Sequence, residues 1–119
     1  MAENLQFRDL EEADAEKLPS LFEETLNDGK DPEYWLWKYF RNPAGTHMTM
    51  VAFDGSDLVG NVGGMPVRIK IGRDTLLGSQ GVDTAIASSH RRRNTFFTLE
   101  SGVKQRMIDH GVSLTYAFS

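Results

Sequence analysis

The sequence predicts an α+β domain built on a mixed, mostly antiparallel sheet with one crossover helix. Three observations carry this. The apolar period changes from helical to two at Met48 and back to helical after Asn94. Two turn signals, Asp54-Gly55-Ser56-Asp57 and Gly72-Arg73-Asp74, cut the period-two stretch into an antiparallel meander of three strands. A helical stripe then separates the last two strands, which makes them parallel and adjacent, with a right-handed connection.

The elements follow in order. Leu5 to Arg8 alternates as a short first strand. Leu18, Leu21, Phe22 and Leu26 form one face of a first helix, with Asp14 as its N-cap, Pro19 in its first turn and Asp28-Gly29 at its end. Asp31-Pro32 opens a second, strongly aromatic helix over 33–40, stopped by Asn42-Pro43. Met48, Met50 and Ala52 share one side of the second strand. The third runs from Leu58 to about Met65, is broken by Pro66, and resumes through Val67, Ile69 and Ile71. The fourth spans 76–87, with Val82, Thr84 and Ile86 on one face and Asp83, Ala85 and Ala87 on the other. Phe96, Leu99, Val103 and Met107 mark a third helix from about Thr95 to His110, closed by Gly111. Val112, Leu114 and Tyr116 begin the fifth strand.

At 119 residues and 39% apolar content, the chain is expected to form one domain over 1–119 with a real core. A net charge of −4 disfavours a whole-surface nucleic-acid binder, and no nucleic-acid partner is expected. The absence of cysteine removes disulfides, thiol nucleophiles and thiolate metal sites. The three histidines lack helical-turn pairing, so no metal is expected. The polar, acidic start at Met1-Ala2-Glu3-Asn4 reads as neither secretory signal nor membrane span, which points to a cytoplasmic protein without a membrane partner.

The most informative stretch is Gly81 to Phe96, a buried strand that passes through Arg91-Arg92-Arg93 into a helix start. Helix-terminal N–H groups and guanidinium forks together suit a diphosphate. A merely solvated basic loop is the other reading of the arginine run. Asp83 is a candidate general base acting through water, or else the acceptor of a structural hydrogen bond. Tyr116 is a candidate acid, although a strand tyrosine more often packs. Trp35 and Trp37 either wall an acceptor pocket or belong to the core, and Glu100 and Asp109 read as solvated charges.

The segment Glu33 to Tyr39 with Asn42-Pro43-Ala44-Gly45, the strand and loop from Asp83 to Phe96, and Gly111 to Phe118 together resemble the GNAT superfamily of CoA-dependent N-acetyltransferases. The resemblance implies that Ala85, Ile86 and Ala87 line the pantetheine arm of acetyl-CoA, while Arg91, Arg92, Arg93, Asn94, Thr95 and Phe96 hold its phosphates. The family's loop pattern is Arg or Gln, two residues, Gly, one residue, then Gly or Ala. Here Asn94 and Phe96 replace both small residues, and Ser88 stands where a proline is common. Asn94 tolerates the left-handed backbone that a glycine would supply.

The resemblance further implies direct attack of an amine on the thioester, without a covalent enzyme intermediate. The acceptor is an unidentified small-molecule or protein amine. A non-catalytic GNAT-like scaffold with weak or no CoA binding is the alternative. Relatives continue past the fifth strand into segments that complete the acceptor pocket. The expectation is therefore that a C-terminal part is absent here, or that a second copy of the chain pairs with the domain.

Overall fold

The structure, a computed structural model, describes residues 5–91 and 93–117. Five strands form one sheet in the order β1 (Leu5–Asp9), β2 (Met50–Asp54), β3 (Asp57–Ile71), β4 (Asp74–Ile86), β5 (Leu114–Ala117). All neighbours are antiparallel except β4 and β5, the parallel pair joined through α3 (Arg93–Asp109). The α+β class, the antiparallel meander of β2 to β4 and the parallel β4–β5 pair are as the sequence predicts; the pattern does not place β1, which pairs with β2. One sheet face carries α1 (Leu18–Leu26) and α2 (Pro32–Phe40); the other carries α3.

Alternation sorts the core. Met50, Ala52, Gly60 and Gly64 face α3, where Leu99 lies over Gly60 and Val103 over Gly64. Trp35 and Tyr39 of α2 and Leu18, Leu21 and Phe22 of α1 fill the opposite layer, all buried. Asp31 caps α2 by accepting the Tyr34 N–H at 3.2 Å, and Pro32 needs no N–H at that position. α3 ends in a Schellman arrangement: Val112 N–H donates to Met107 O at 2.9 Å and Gly111 N–H to Ile108 O at 3.1 Å. Gly111 sits at φ 74°, where a side chain is costly.

Several expectations are corrected. Asp14 does not cap α1. It lies in a 3-10 turn (Glu12–Glu16), where its carboxylate accepts the Glu11 N–H at 2.8 Å and two bonds from Arg8 at 2.7 and 2.9 Å. Leu26 is 54% exposed, because α1 stops at the next residue with Asn27 in a left-handed conformation. β2 starts at Met50 and β5 at Leu114, each two residues later than the pattern implied.

Pro66 does not break β3, which runs unbroken past it opposite Ser79 of β4. Gly64 turns its C=O to the Met48 N–H at 2.7 Å and its N–H to Thr49 Oγ1 at 3.3 Å, both away from β4. Two residues on, the proline's missing N–H falls on that same side, beyond the end of β2, where no ladder needs it. The Pro66 carbonyl accepts from Asn42 Nδ2 at 3.3 Å.

Asp14 supplies a pH prediction. Burial opposes its ionisation, but the Arg8 and Glu11 hydrogen bonds and the Arg8 and Lys17 charges outweigh burial and hold the carboxyl below its ordinary 3.8. A depressed folded-state pKa contributes stability in full above the unfolded value, and that stability is lost as pH falls through the folded one. Arg8→Met is therefore expected to cost about 1–2 kcal/mol near neutrality, with the deficit shrinking below pH 4. Urea titrations at pH 7 and pH 3 check this.

Candidate functional site

The site grows from an irregularity in β4. Asn61 pairs with Ala85 and Gly63 with Val82, so Asp83 and Thr84 together face the single residue Val62. Asp83 takes φ 56°, a left-handed conformation unusual for a non-glycine residue. The inserted residue shifts the period, so Val82 and Ala85 share a face. The expected sorting of Val82 against Ala85 is thereby corrected, as is Asp83's regular place beside Ala85 and Ala87. Past this bulge Ala87 N–H donates to Val59 O at 2.8 Å, toward β3. By alternation the backbone groups of Ala85 also face β3, whereas those of Thr84 and Ile86 face the open edge. β5 pairs only with 78–81, so that edge has no strand partner among the described residues.

Of the three residues expected along the pantetheine arm, Ile86 alone thus offers both backbone groups outward. Ala87 has its carbonyl occupied as well, by the His90 N–H at 2.8 Å. β4 ends at Ile86, and a short 3-10 turn (Ser88–His90) leads to Arg91. The turn is pinned from outside: Ser88 N–H donates to Glu24 at 3.2 Å, and His90 Nε2 lies 2.9 Å from Asp54 Oδ2. Arg91 is exposed and its Nε donates to Ile86 O at 2.9 Å.

α3 begins at Arg93, two residues before the expected start, so Asn94 is helical and needs no left-handed backbone. Its first-turn N–H groups are those at 93–96, which lie beyond the reach of intrahelical acceptors. Thr95 is buried, Asn94 exposed and Phe96 half-buried. Arg92 and the side chain of Arg93, both expected at the phosphates, lie outside what is described.

Two adjoining hollows follow the β4 edge. The first, about 410 Å³, is bounded by Thr25 and Leu26 of α1, Thr84 to Ile86, Arg91 and Phe96. The second, about 480 Å³, lies between Gly81 to Thr84 of β4, Thr115 to Ala117 of β5 and the α3 residues Phe96, Glu100 and Lys104. Phe96 and Thr84 border both. The Phe96 ring, packed against the core, stands as a wall of this cleft. Glu100 is half-buried on the second hollow, paired with Lys104 at 3.1 Å, rather than a fully solvated charge. Tyr116 lines the same hollow at 37% exposure. Trp35 is core, whereas Trp37 is 62% exposed.

The Asp83 side chain turns toward α2. Its carboxylate accepts the Tyr39 hydroxyl in a short hydrogen bond and pairs with Lys38 Nζ at 2.7 Å, while its carbonyl accepts Asn61 Nδ2 at 2.9 Å. Burial first, then the adjacent Asp83 charge, pushes the Tyr39 phenol well above its ordinary value, so it stays protonated and donates. Lys38, Tyr39 and Thr84 are the residues that sequence reasoning missed as parts of this site. Lys38 and Tyr39 looked like members of an aromatic core helix, and nothing local announces a partner 44 residues away.

The site thus combines a five-stranded mixed sheet, a β4 edge with no strand partner among the described residues, and a helix start beyond it. Residues 6–119 match the family described as "Acetyltransferase (GNAT) domain", and the chain belongs to that family, whose members transfer acetyl groups. Solved structures agree on the fold. Glucosamine-6-phosphate N-acetyltransferase from Arabidopsis thaliana superposes with TM-score 0.79 at 14% identity, over 98% of this chain and 83% of that one. A transcriptional regulator from Bacillus halodurans C-125 gives 0.76 at 13%, over 98% and 82%. An aminoglycoside acetyltransferase from an uncultured soil metagenomic sample gives 0.74 at 18%, over 98% and 80%. No curated protein matches the chain in sequence.

Proposed function

We propose that the chain is an acyl-CoA-dependent N-acyltransferase that passes acetyl from acetyl-CoA to a primary amine. The observation that carries this is the open β4 edge: Ile86 presents an outward N–H and C=O on the first hollow, with Arg91 and the start of α3 at one end and the second hollow beyond Thr84. An extended amide chain fits such an edge by strand-like pairing, and an anion fits the helix start. The bound thioester supplies an activated acyl group that an amine can attack directly. Pairing of the arm with Ile86 releases Arg91 from the Ile86 carbonyl and frees its guanidinium for the phosphates.

The reaction end lies at the second hollow. An outward backbone N–H near the bulge polarises the acyl oxygen there. Tyr116, on the wall of this hollow, takes the role of acid for the leaving thiolate. Asp83 also borders it, but two side chains already occupy its carboxylate, which suits orientation better than proton abstraction.

Calorimetric titration with acetyl-CoA tests the proposal. Ile86→Pro removes one N–H on the side of β4 that has no strand partner among the described residues, and is expected to weaken binding about ten-fold, roughly 1.4 kcal/mol. Ile86→Ala, which keeps that N–H, controls for lost packing and weakens binding less. Absence of saturable heat with the unaltered protein would support the scaffold reading instead.

A further inference from the structure

We infer that Lys38 and Tyr39 are positioning residues: from α2 they clamp Asp83 in its left-handed bulge and so hold the β4 edge in the form that an acyl-CoA arm pairs with. This rests on the proposed acyl-CoA reading. Three contacts converge on one residue held at positive φ. Tyr39, 1% exposed, donates to the carboxylate; Lys38 pairs with the same oxygen at 2.7 Å; Asn61, fully buried, holds the Asp83 carbonyl at 2.9 Å; and the backbone stands at φ 56°. A left-handed aspartate persists only where its surroundings over-determine it.

The clamp is itself fixed from behind. The Tyr39 ring stacks on Trp35 at 6.0 Å, and Lys38 Nζ lies 5.5 Å from the Tyr34 ring centroid and 5.8 Å from that of Trp35. Little freedom remains for either side chain. The consequence is local to β4: the bulge decides that Thr84 and Ile86, not Asp83 and Ala85, turn outward. A carboxylate with two donors is also poorly placed to collect a substrate proton, so its chemistry is spent inside the protein.

The geometry distinguishes a conformational role from a chemical one. Asp83→Ala removes the clamp's handle and puts a side chain at positive φ without support, whereas Asp83→Gly removes the handle but adopts that backbone freely. Acetyl-CoA titration is expected to show binding about ten-fold weaker in Asp83→Ala and recovered to within about three-fold in Asp83→Gly. Lys38→Met is expected to weaken binding less than Asp83→Ala, and Lys38→Arg to restore it. Amide exchange at Ala85 and Ala87, which reports register against β3, should accelerate in Asp83→Ala and stay slow in Asp83→Gly.

Equal loss of binding in the Ala and Gly variants, with Ala85 and Ala87 still protected, would overturn the inference, because the carboxylate would then be acting on the ligand. Undiminished binding in Asp83→Ala would overturn it too. Failure of the unaltered protein to bind acetyl-CoA would overturn the functional reading, and the exchange comparison would still decide whether the clamp holds the bulge.

Discussion

Trp35→Ala is expected to remove about 3–5 kcal/mol of folding stability, the largest loss for any single side chain of α2. Trp35 is 2% exposed, stacks on Phe22 at 4.5 Å between ring centroids and meets Tyr34 edge-on at 4.9 Å. It is the element that ties α1 to α2. Its indole Nε1 is buried without a hydrogen-bond partner among the described residues, so truncation forfeits packing and leaves no donor or acceptor stranded. The loss is a large share of the roughly 5–15 kcal/mol of a typical domain. Trp35→Phe, which refills most of the space, should cost less than half as much. Urea denaturation followed by far-UV circular dichroism measures both; a loss below 1 kcal/mol in Trp35→Ala would show that the α1 and α2 layer packs otherwise.

The second large effect is expected from a single methyl group at Gly63. A Cβ there would stand 2.6 Å from the Val82 carbonyl oxygen and 2.7 Å from the Tyr39 hydroxyl. The carbonyl belongs to the backbone entering the bulge, and the hydroxyl is bound to Asp83, so neither yields cheaply. Gly63→Ala should therefore cost about 2–3 kcal/mol and displace Tyr39 from Asp83. Gly78→Ala is the informative contrast. Its Cβ would come still closer to Ile69 Cδ1, the end of a side chain, and would stand 3.1 Å from Ile69 Cγ1 and 3.2 Å from the Leu114 carbonyl oxygen, so a cost of about 1–2 kcal/mol, smaller than at Gly63, is expected. Thermal and urea unfolding of the pair decide whether rigidity at the bulge, rather than bare proximity, sets the penalty.

Much of this architecture is readable from local chemistry. The glycines of both hairpins, Gly55 and Gly72, stand at φ 62°, and Gly111 ends α3 as a left-handed glycine should. The stripe of α3 predicted its buried face at Leu99 and Val103, although Thr95 is buried with them. Misreadings occur where meaning depends on a distant partner. Pro66 breaks a strand only if its missing N–H faces a neighbour, and β2 ends too soon to be one. Strict alternation along β4 fails because one extra residue enters at Asp83, and an aspartate inside an alternating run does not by itself announce positive φ as a glycine would. The aromatic run of α2 announces burial but not that Lys38 and Tyr39 reach across to β4. Leu26 continues the α1 stripe on paper and in space faces the first hollow.

Of the candidate site, the sequence pattern puts Arg91 just after the strand whose Thr84 to Ile86 share its hollow, but the backbone directions that favour Ile86 over Ala85 and Ala87 follow from the bulge alone.

The most direct test of the central claim is an amide chemical-shift map of the unaltered protein titrated with acetyl-CoA. The structure predicts saturable shifts concentrated at Thr84, Ile86, Arg91 and the first turn of α3, with residues bordering the second hollow responding to the acyl end. Shifts gathered instead on the β3–β4 hairpin tip or beside the His90–Asp54 contact, with Thr84 and Ile86 unmoved, would contradict it.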